Sequence, residues 1–163
     1  MIHSRSALAG WMVLNLAASG STATVQERTI IDTVVVGDIS TSTLRAALEV
    51  LPRRPKRIDI VDDRDLPAAT SKQIREMDAF VPVGSQTIYL RRQSRALRAA
   101  ESAGGPDTLV LALVIWHEMA HVEGLDEHEA RQREEELWME FIRNNRVDGG
   151  FGMAYLHELK ARK

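Results

Sequence analysis

Two histidines four residues apart, His117 and His121, stand at the end of an apolar segment, residues 109–116. This segment is too short and too near charged residues to span a bilayer, but it is typical of a helix buried against a sheet. Residues four apart on a helix project from the same face, about 6 Å from each other, so both imidazoles can reach one metal ion. The sequence therefore predicts a rigid, buried helix that presents two metal ligands.

Turn-forming residues frame this helix on both sides. Residues 104–107, Gly-Gly-Pro-Asp, predict a turn with Asp107 as the helix N-cap, and Gly124 predicts the helix end. Glu118 lies about 100° around the helix from His117, where its carboxylate can flank a metal and take a proton from water. Glu118 is therefore the candidate general base. A buried histidine pair with ordinary hydrogen bonds is the alternative interpretation.

A catalytic zinc normally has three protein ligands and leaves a fourth position for water. Because Gly124 can adopt a left-handed conformation and reverse the chain, a residue only a few positions later can return to the metal. Glu129 has a second explanation, since an N-cap Asp126 with Glu129 three residues later makes a capping box. The residues that could supply the third ligand are Asp126, Glu127, His128 and Glu129.

Two family resemblances point to the same third ligand. Residues 117–127 read HExxHxxGxxE, which resembles the metzincin pattern HExxHxxGxxH/D, with Glu127 in the position of that clan's third ligand. Residues 127–130 read EHEA, which is similar to the E-x-x-A-D or E-x-x-A-N segment of gluzincins, whose first glutamate binds zinc. This chain has Arg131 at the last position of that segment. Residues 153–155 have the M-x-Y form seen in the Met-turn of some metzincins.

The resemblance implies a zinc-dependent metallopeptidase that acts on a peptide or protein substrate. It implies an α+β, zincin-like fold, in which a small mixed β-sheet packs on the HExxH helix and C-terminal helices follow. His117, His121 and Glu127 would hold Zn²⁺, and Glu118 would be the general base. In zincins the strand before the active helix usually lies at the sheet edge and pairs with extended substrate. By analogy residues 86–90 would be that strand, or a plain edge strand protected by Arg91 and Arg92.

Two other functions are compatible with the motif. Residues 117–127 also resemble the HxxxHxxGxDH motif of a bacterial endoribonuclease family that matures ribosomal RNA, with Glu127 replacing the third histidine; Glu118 argues against this function. The domain could also be a catalytically silent zinc-binding module, because fold does not determine function. Tyr155 or His157 could stabilise an oxyanion, although packing is the simpler role for either.

Composition limits the class of protein. The 163 residues contain no cysteine, which excludes thiolate zinc sites, disulfides and cysteine catalysis. With a net charge of −2 and 5% aromatic residues, no nucleic-acid partner is expected. Residues 1–23 predict a secretory signal peptide, so that residues 24–163 form a single secreted or periplasmic domain without a transmembrane segment. The alternative is an amphipathic or buried N-terminal helix of a cytoplasmic protein. The oligomeric state stays open.

The remaining elements are predicted to be short and to alternate in type. The run of three glutamates, residues 134–136, indicates a solvated helix face. The predicted elements are strands over residues 29–37, 57–62 and 86–91, a helix over residues 42–51, a helix over residues 126–144 with Trp138 and Phe141 in the core, and a last helix over residues 153–162 after a break at Gly149 and Gly150.

Overall fold

The structure is a computed structural model and describes residues 26–161. These residues form a five-stranded mixed sheet and six α-helices around one core, which confirms the predicted α+β class. In chain order the elements are β1 (Glu27–Ile30), β2 (Thr33–Val36), α1 (Thr41–Glu49), β3 (Arg57–Val61), α2 (Ala68–Ile74), β4 (Ala79–Phe80), β5 (Ile88–Arg91), α3 (Arg95–Ala103), α4 (Pro106–Val122), α5 (Glu127–Arg143) and α6 (Gly149–Ala161).

The sheet has the strand order β1-β2-β3-β5-β4. Strands β2, β3 and β5 are parallel, whereas β1 and β4 run antiparallel to their neighbours. Val35, Ile58 and Ile88 lie in register on the three parallel strands, and each is fully buried. This row of β-branched residues forms part of the core with helix α4, which packs against β4 and β5 and against helices α1, α3 and α5.

The prediction that residues 86–90 form an edge strand is wrong. Strand β5 lies between β3 and β4, so its backbone is paired on both sides. Arg91, expected to protect an exposed edge, is instead buried. Its guanidinium donates to the carbonyl oxygens of Arg75 and Met77 and pairs with the carboxylate of Asp63. These contacts hold the chain just before β4 against β5, and β4 is the edge strand on this side of the sheet.

The prediction of one strand over residues 29–37 is also wrong. This stretch contains the end of β1, a two-residue turn and β2, which together form a hairpin with Ile30 opposite Thr33. The turn residues Ile31 and Asp32 have φ angles of 47° and 64°. Two successive positive φ values are typical of a type I′ turn, whose twist matches that of the flanking strands.

Helix ends differ from the predictions where glycine or proline occupies the first turn. Helix α4 has Gly105 as its N-cap and Pro106 at its first position, so Asp107 lies in the first turn and is not the cap. Helix α6 begins at Gly149, because Asp148 Oδ1 accepts the N–H groups of Gly150 and Phe151 at 2.9 and 3.2 Å. The predicted break at Gly149 is therefore a helix start.

The last two helices form one packed unit. Trp138 and Phe141 are buried, as predicted, and Trp138 Nε1 donates to the carbonyl oxygen of Gly152 at 2.7 Å. The rings of Trp138 and Tyr155 lie 4.7 Å apart, which places Tyr155 in this packing. None of the helices within residues 26–161 is long and apolar enough to cross a membrane. The predicted signal peptide, residues 1–23, lies outside the described residues.

Replacing Gly37 tests the contact between β2 and β3. Gly37 has a φ of +103°, and a Cβ there would lie 2.9 Å from the backbone oxygen of Ile60. Gly84 has a φ of +76° with open space around the Cβ position. We expect Gly84→Ala to lower the free energy of unfolding by about 1–2 kcal/mol through backbone strain alone. Gly37→Ala should lower it by roughly 1–3 kcal/mol more through the clash. Urea unfolding, monitored by circular dichroism, measures the free energy of unfolding of both variants. Equal decreases in the two variants would contradict the clash.

Candidate metal centre

Three side chains from two helices converge at one point. His117 and His121 come from the last turns of α4, and Glu127 is the first residue of α5. The two Nε2 atoms are 3.1 Å apart, and Glu127 Oε2 lies 3.5 Å from Nε2 of His117 and 3.3 Å from Nε2 of His121. Zinc ligands at tetrahedral angles lie about 3.3 Å from one another, because each bond is about 2.0–2.1 Å long. This metal triad, His117, His121 and Glu127, could therefore hold a metal ion.

The chain reverses within a few residues to bring α5 back to α4. Gly124 has a φ of +85°; its N–H donates to the carbonyl of His121, and the N–H of Leu125 donates to that of Ala120, both at 3.0 Å. These two bonds make a Schellman motif, in which a left-handed residue ends the helix. Gly124 therefore has the predicted role of helix stop.

The capping box predicted at the start of α5 is present. Asp126 Oδ1 accepts the N–H of Glu129 at 2.9 Å, and Glu129 Oε2 accepts the N–H of Asp126 at 3.0 Å. Both carboxylates are thus bound to the helix end, while His128 is exposed. Within residues 26–161, the metal triad is the only cluster of three or more potential ligands. Among the alternatives for the third ligand, the geometry therefore favours Glu127.

Each histidine of the metal triad is hydrogen-bonded through its other ring nitrogen. His117 Nδ1 lies 3.2 Å from Glu134 Oε2, and His121 Nδ1 lies 3.1 Å from the carbonyl oxygen of Leu125. Because both partners are acceptors, each Nδ1 acts as the donor, and the lone pair of the neutral ring is on Nε2. A hydrogen bond of this kind fixes the tautomer and the orientation of a metal-binding histidine.

Glu134 is the contact of the metal triad that the sequence analysis missed. The run of residues 134–136 was expected to form a solvated face, but the Glu134 side chain is only 11% exposed and faces His117. Glu136 is exposed and accepts a hydrogen bond from Gln132 at 2.9 Å. The available signal is the spacing: Glu134 follows Glu127 by seven residues, which is two helical turns, so both lie on the face of α5 toward α4.

The carboxylates shift the titration of the metal triad. Burial alone would lower the pKa of His117, but its hydrogen bonds to Glu127 and Glu134 raise that pKa to about 10. Hydrogen bonds from His117 and His121 hold the pKa of Glu127 far below its usual range. The cluster thus retains a proton on the same nitrogen atoms that would bind a cation, so cation binding would release protons.

Glu118 lies beside the metal triad and is buried within α4. Burial raises the pKa of its carboxyl group to about 7, although the charges of His117 and His121 partly oppose this effect. Its carboxylate forms no hydrogen bond with the part of the chain that the structure describes. A buried carboxyl group next to a cation site can accept a proton, which is the chemistry expected of Glu118.

The structure does not bring Tyr155 or His157 to the metal triad. Tyr155 is buried against Trp138, and His157 is exposed on α6. Residues 153–155 form part of that helix and not a turn, and the Met153 side chain is 56% exposed. The resemblance to a Met-turn therefore has no counterpart in this structure.

No protein-family model, curated protein or solved structure matches this chain. The resemblance to metzincins and gluzincins rests on the short motif alone. The function must consequently be inferred from the residues of the site and their chemistry.

A pair of glutamine substitutions tests the third ligand. Glu127→Gln removes the charged oxygen that faces both Nε2 atoms, so we expect zinc affinity to fall by at least about tenfold. Glu129→Gln should keep zinc and lose only about 1 kcal/mol of stability, because it weakens one half of the capping box. Competition with a chromophoric chelator measures the affinities. Loss of zinc in Glu129→Gln with normal binding in Glu127→Gln would reverse the assignment.

Proposed function

We propose that this protein is a zinc-dependent metallopeptidase. The observation that carries the proposal is the convergence of three ligand atoms, 3.1 to 3.5 Å apart, on two adjoining helices. His117, His121 and Glu127 would hold Zn²⁺, and Glu118 would be the general base that acts on a peptide or protein substrate.

The ligand set supports a catalytic zinc over a structural one. Two imidazole nitrogens and one carboxylate oxygen are a His₂Glu set, which is found in catalytic zinc sites that keep a fourth position for water or substrate. Structural zinc sites normally have four protein ligands, most often with cysteine, and this chain has no cysteine. The described residues supply three ligands to the cluster.

Exposure at the site is compatible with access for a substrate. The side chains of His121 and Glu127 are 25% and 49% exposed, whereas that of His117 is 15% exposed. The metal triad therefore lies at the surface, with its most enclosed ligand held by Glu134. A polypeptide could approach such a site without the opening of a lid.

The proposed reaction is hydrolysis of a peptide bond by water. A bound Zn²⁺ would supply Lewis acidity, which polarises the scissile carbonyl and makes water a stronger nucleophile at neutral pH. Glu118 takes a proton from the attacking water, whose oxygen forms the new bond to the carbonyl carbon. The carbon–nitrogen bond then breaks, and Glu118 returns the proton to the leaving amine. The buried position of Glu118 keeps its carboxyl group away from bulk solvent.

Glu118→Gln separates metal binding from proton transfer. Glutamine keeps the shape of the side chain but cannot take the proton, so we expect bound zinc to stay at the wild-type level and turnover to fall by about 10²-fold or more. His117→Ala should lose the metal itself. The measurements are zinc content and cleavage of a denatured protein, with and without a chelator, and Glu135→Gln is the matched control. Equal turnover in wild type and Glu118→Gln would contradict the general-base role.

The same assay distinguishes the other functions compatible with the motif. Structured RNA is incubated in parallel with the denatured protein. Chelator-sensitive cleavage of RNA alone would assign an endoribonuclease. Stoichiometric zinc without cleavage of either substrate would assign a silent zinc-binding module.

A further inference from the structure

Helix α5 carries three charged residues on one face. One of them belongs to the metal triad, and the other two contact members of the triad. Glu127, Arg131 and Glu134 are spaced four and three residues apart, so they form a stripe along the helix. Arg131 Nε donates to Glu127 Oε1 at 2.6 Å, and Glu134 Oε2 accepts from His117 Nδ1 at 3.2 Å. One ligand and two residues that contact ligands therefore lie on the same rigid element.

Glu134 has the more enclosed position of the two contacting residues. A buried carboxylate is costly unless it has a partner, and the described partner of Glu134 is the His117 ring. The bond gives the ring a fixed orientation, with Nε2 turned toward His121 and Glu127. A carboxylate at Nδ1 also makes the imidazole a stronger ligand, because it stabilises the positive charge that metal binding places on the ring.

Arg131 acts on the other ligand. The Glu127 side chain is half exposed, so it would have rotamer freedom without a partner. Arg131 binds Oε1, which leaves Oε2 as the oxygen facing both histidines. An exposed ion pair of this kind contributes little to stability. Its consequence is geometric, since it presents a single carboxylate oxygen to the site.

We propose that Arg131 and Glu134 are positioning residues of the metal centre, Glu134 by fixing the ring of His117 and Arg131 by restricting Glu127 to one ligand oxygen. This inference rests on the metal site of the proposed function but not on peptidase activity. It assigns to α5 the control of ligand orientation and of the number of ligand atoms.

Glu134→Gln tests the first half of the inference, with Glu135→Gln as the matched control on a different face of the helix. We expect the dissociation constant for Zn²⁺, measured by chelator competition, to rise about 10- to 100-fold in Glu134→Gln and to stay near wild type in Glu135→Gln. Glu134→Asp should recover part of the affinity. Thermal unfolding of the metal-free proteins identifies a merely structural role, which would change stability without changing affinity. Wild-type affinity in Glu134→Gln overturns this half.

Arg131→Gln tests the second half, with Arg133→Gln as the control because Arg133 pairs with Glu123 outside the metal triad. Affinity is a poor measure here, since removal of a positive charge and loss of orientation act in opposite directions. The visible absorption of the Co²⁺-loaded protein reports coordination number instead. We expect weaker bands, typical of five-coordinate Co²⁺, in Arg131→Gln alone, because Glu127 can then supply both oxygens. An unchanged spectrum overturns the role of Arg131.

The outcomes separate this inference from the proposed function. If the wild-type protein binds zinc tightly but cleaves no peptide, the peptidase proposal fails and the affinities and spectra still decide the positioning roles. If peptides are cleaved and both variants behave like their controls, the positioning roles fail while the function stands. A wild-type protein that binds neither Zn²⁺ nor Co²⁺ overturns both.

Discussion

The turn between α4 and α5 is the constraint on which the geometry of the metal triad depends. Its Schellman motif ends α4 directly after the second histidine, and the capping box starts α5 two residues after Gly124. Leu125 has two roles in this turn: its N–H closes the motif on Ala120, and its carbonyl accepts from His121 Nδ1. The same backbone segment thus reverses the chain and orients the His121 ring. A shift of this turn would move His121 and Glu127 together.

Charge balance around the metal triad favours a cation. Glu118, Glu127 and Glu134 surround two histidines, and Glu118 and Glu134 are buried. In such a place carboxylates lose much of their hydration, so their charges must be compensated by protons or by a cation. Burial raises the pKa of Glu118, and hydrogen bonds to Glu127 and Glu134 raise the pKa of His117, so both groups favour their protonated forms. A dication at the Nε2 atoms and Glu127 Oε2 would compensate these carboxylate charges in place of protons.

The parts of the fold that follow from local pattern could be predicted, and those that depend on tertiary packing could not. The apolar run before His117, the glycine stop and the capping box are local signals, and the structure contains all three helix features. The hairpin was missed because Ile31 is β-branched and rarely adopts a positive φ, and neither turn residue is the glycine or asparagine that usually marks such a turn. Strand β4 has only two residues, which are too few to show the alternation of apolar and polar residues that is typical of a strand. Glu134 was missed because its partner, His117, lies on another helix.

The end of α4 that carries His121 is held by contacts from three other segments of the chain. Glu123, the C-cap of α4, accepts from Arg133 of α5 at 2.5 Å and pairs with Arg53 in the loop before β3. Gln86, in the loop before β5, donates to the carbonyl of Val122 at 3.4 Å. The loops before β3 and β5, together with α5, thus hold the last turn of α4 and its C-cap from different sides. Because the three side-chain atoms of the metal triad are already within tetrahedral distances of one another, cation binding would require little ordering of the chain, and its free energy would not be consumed in folding the site.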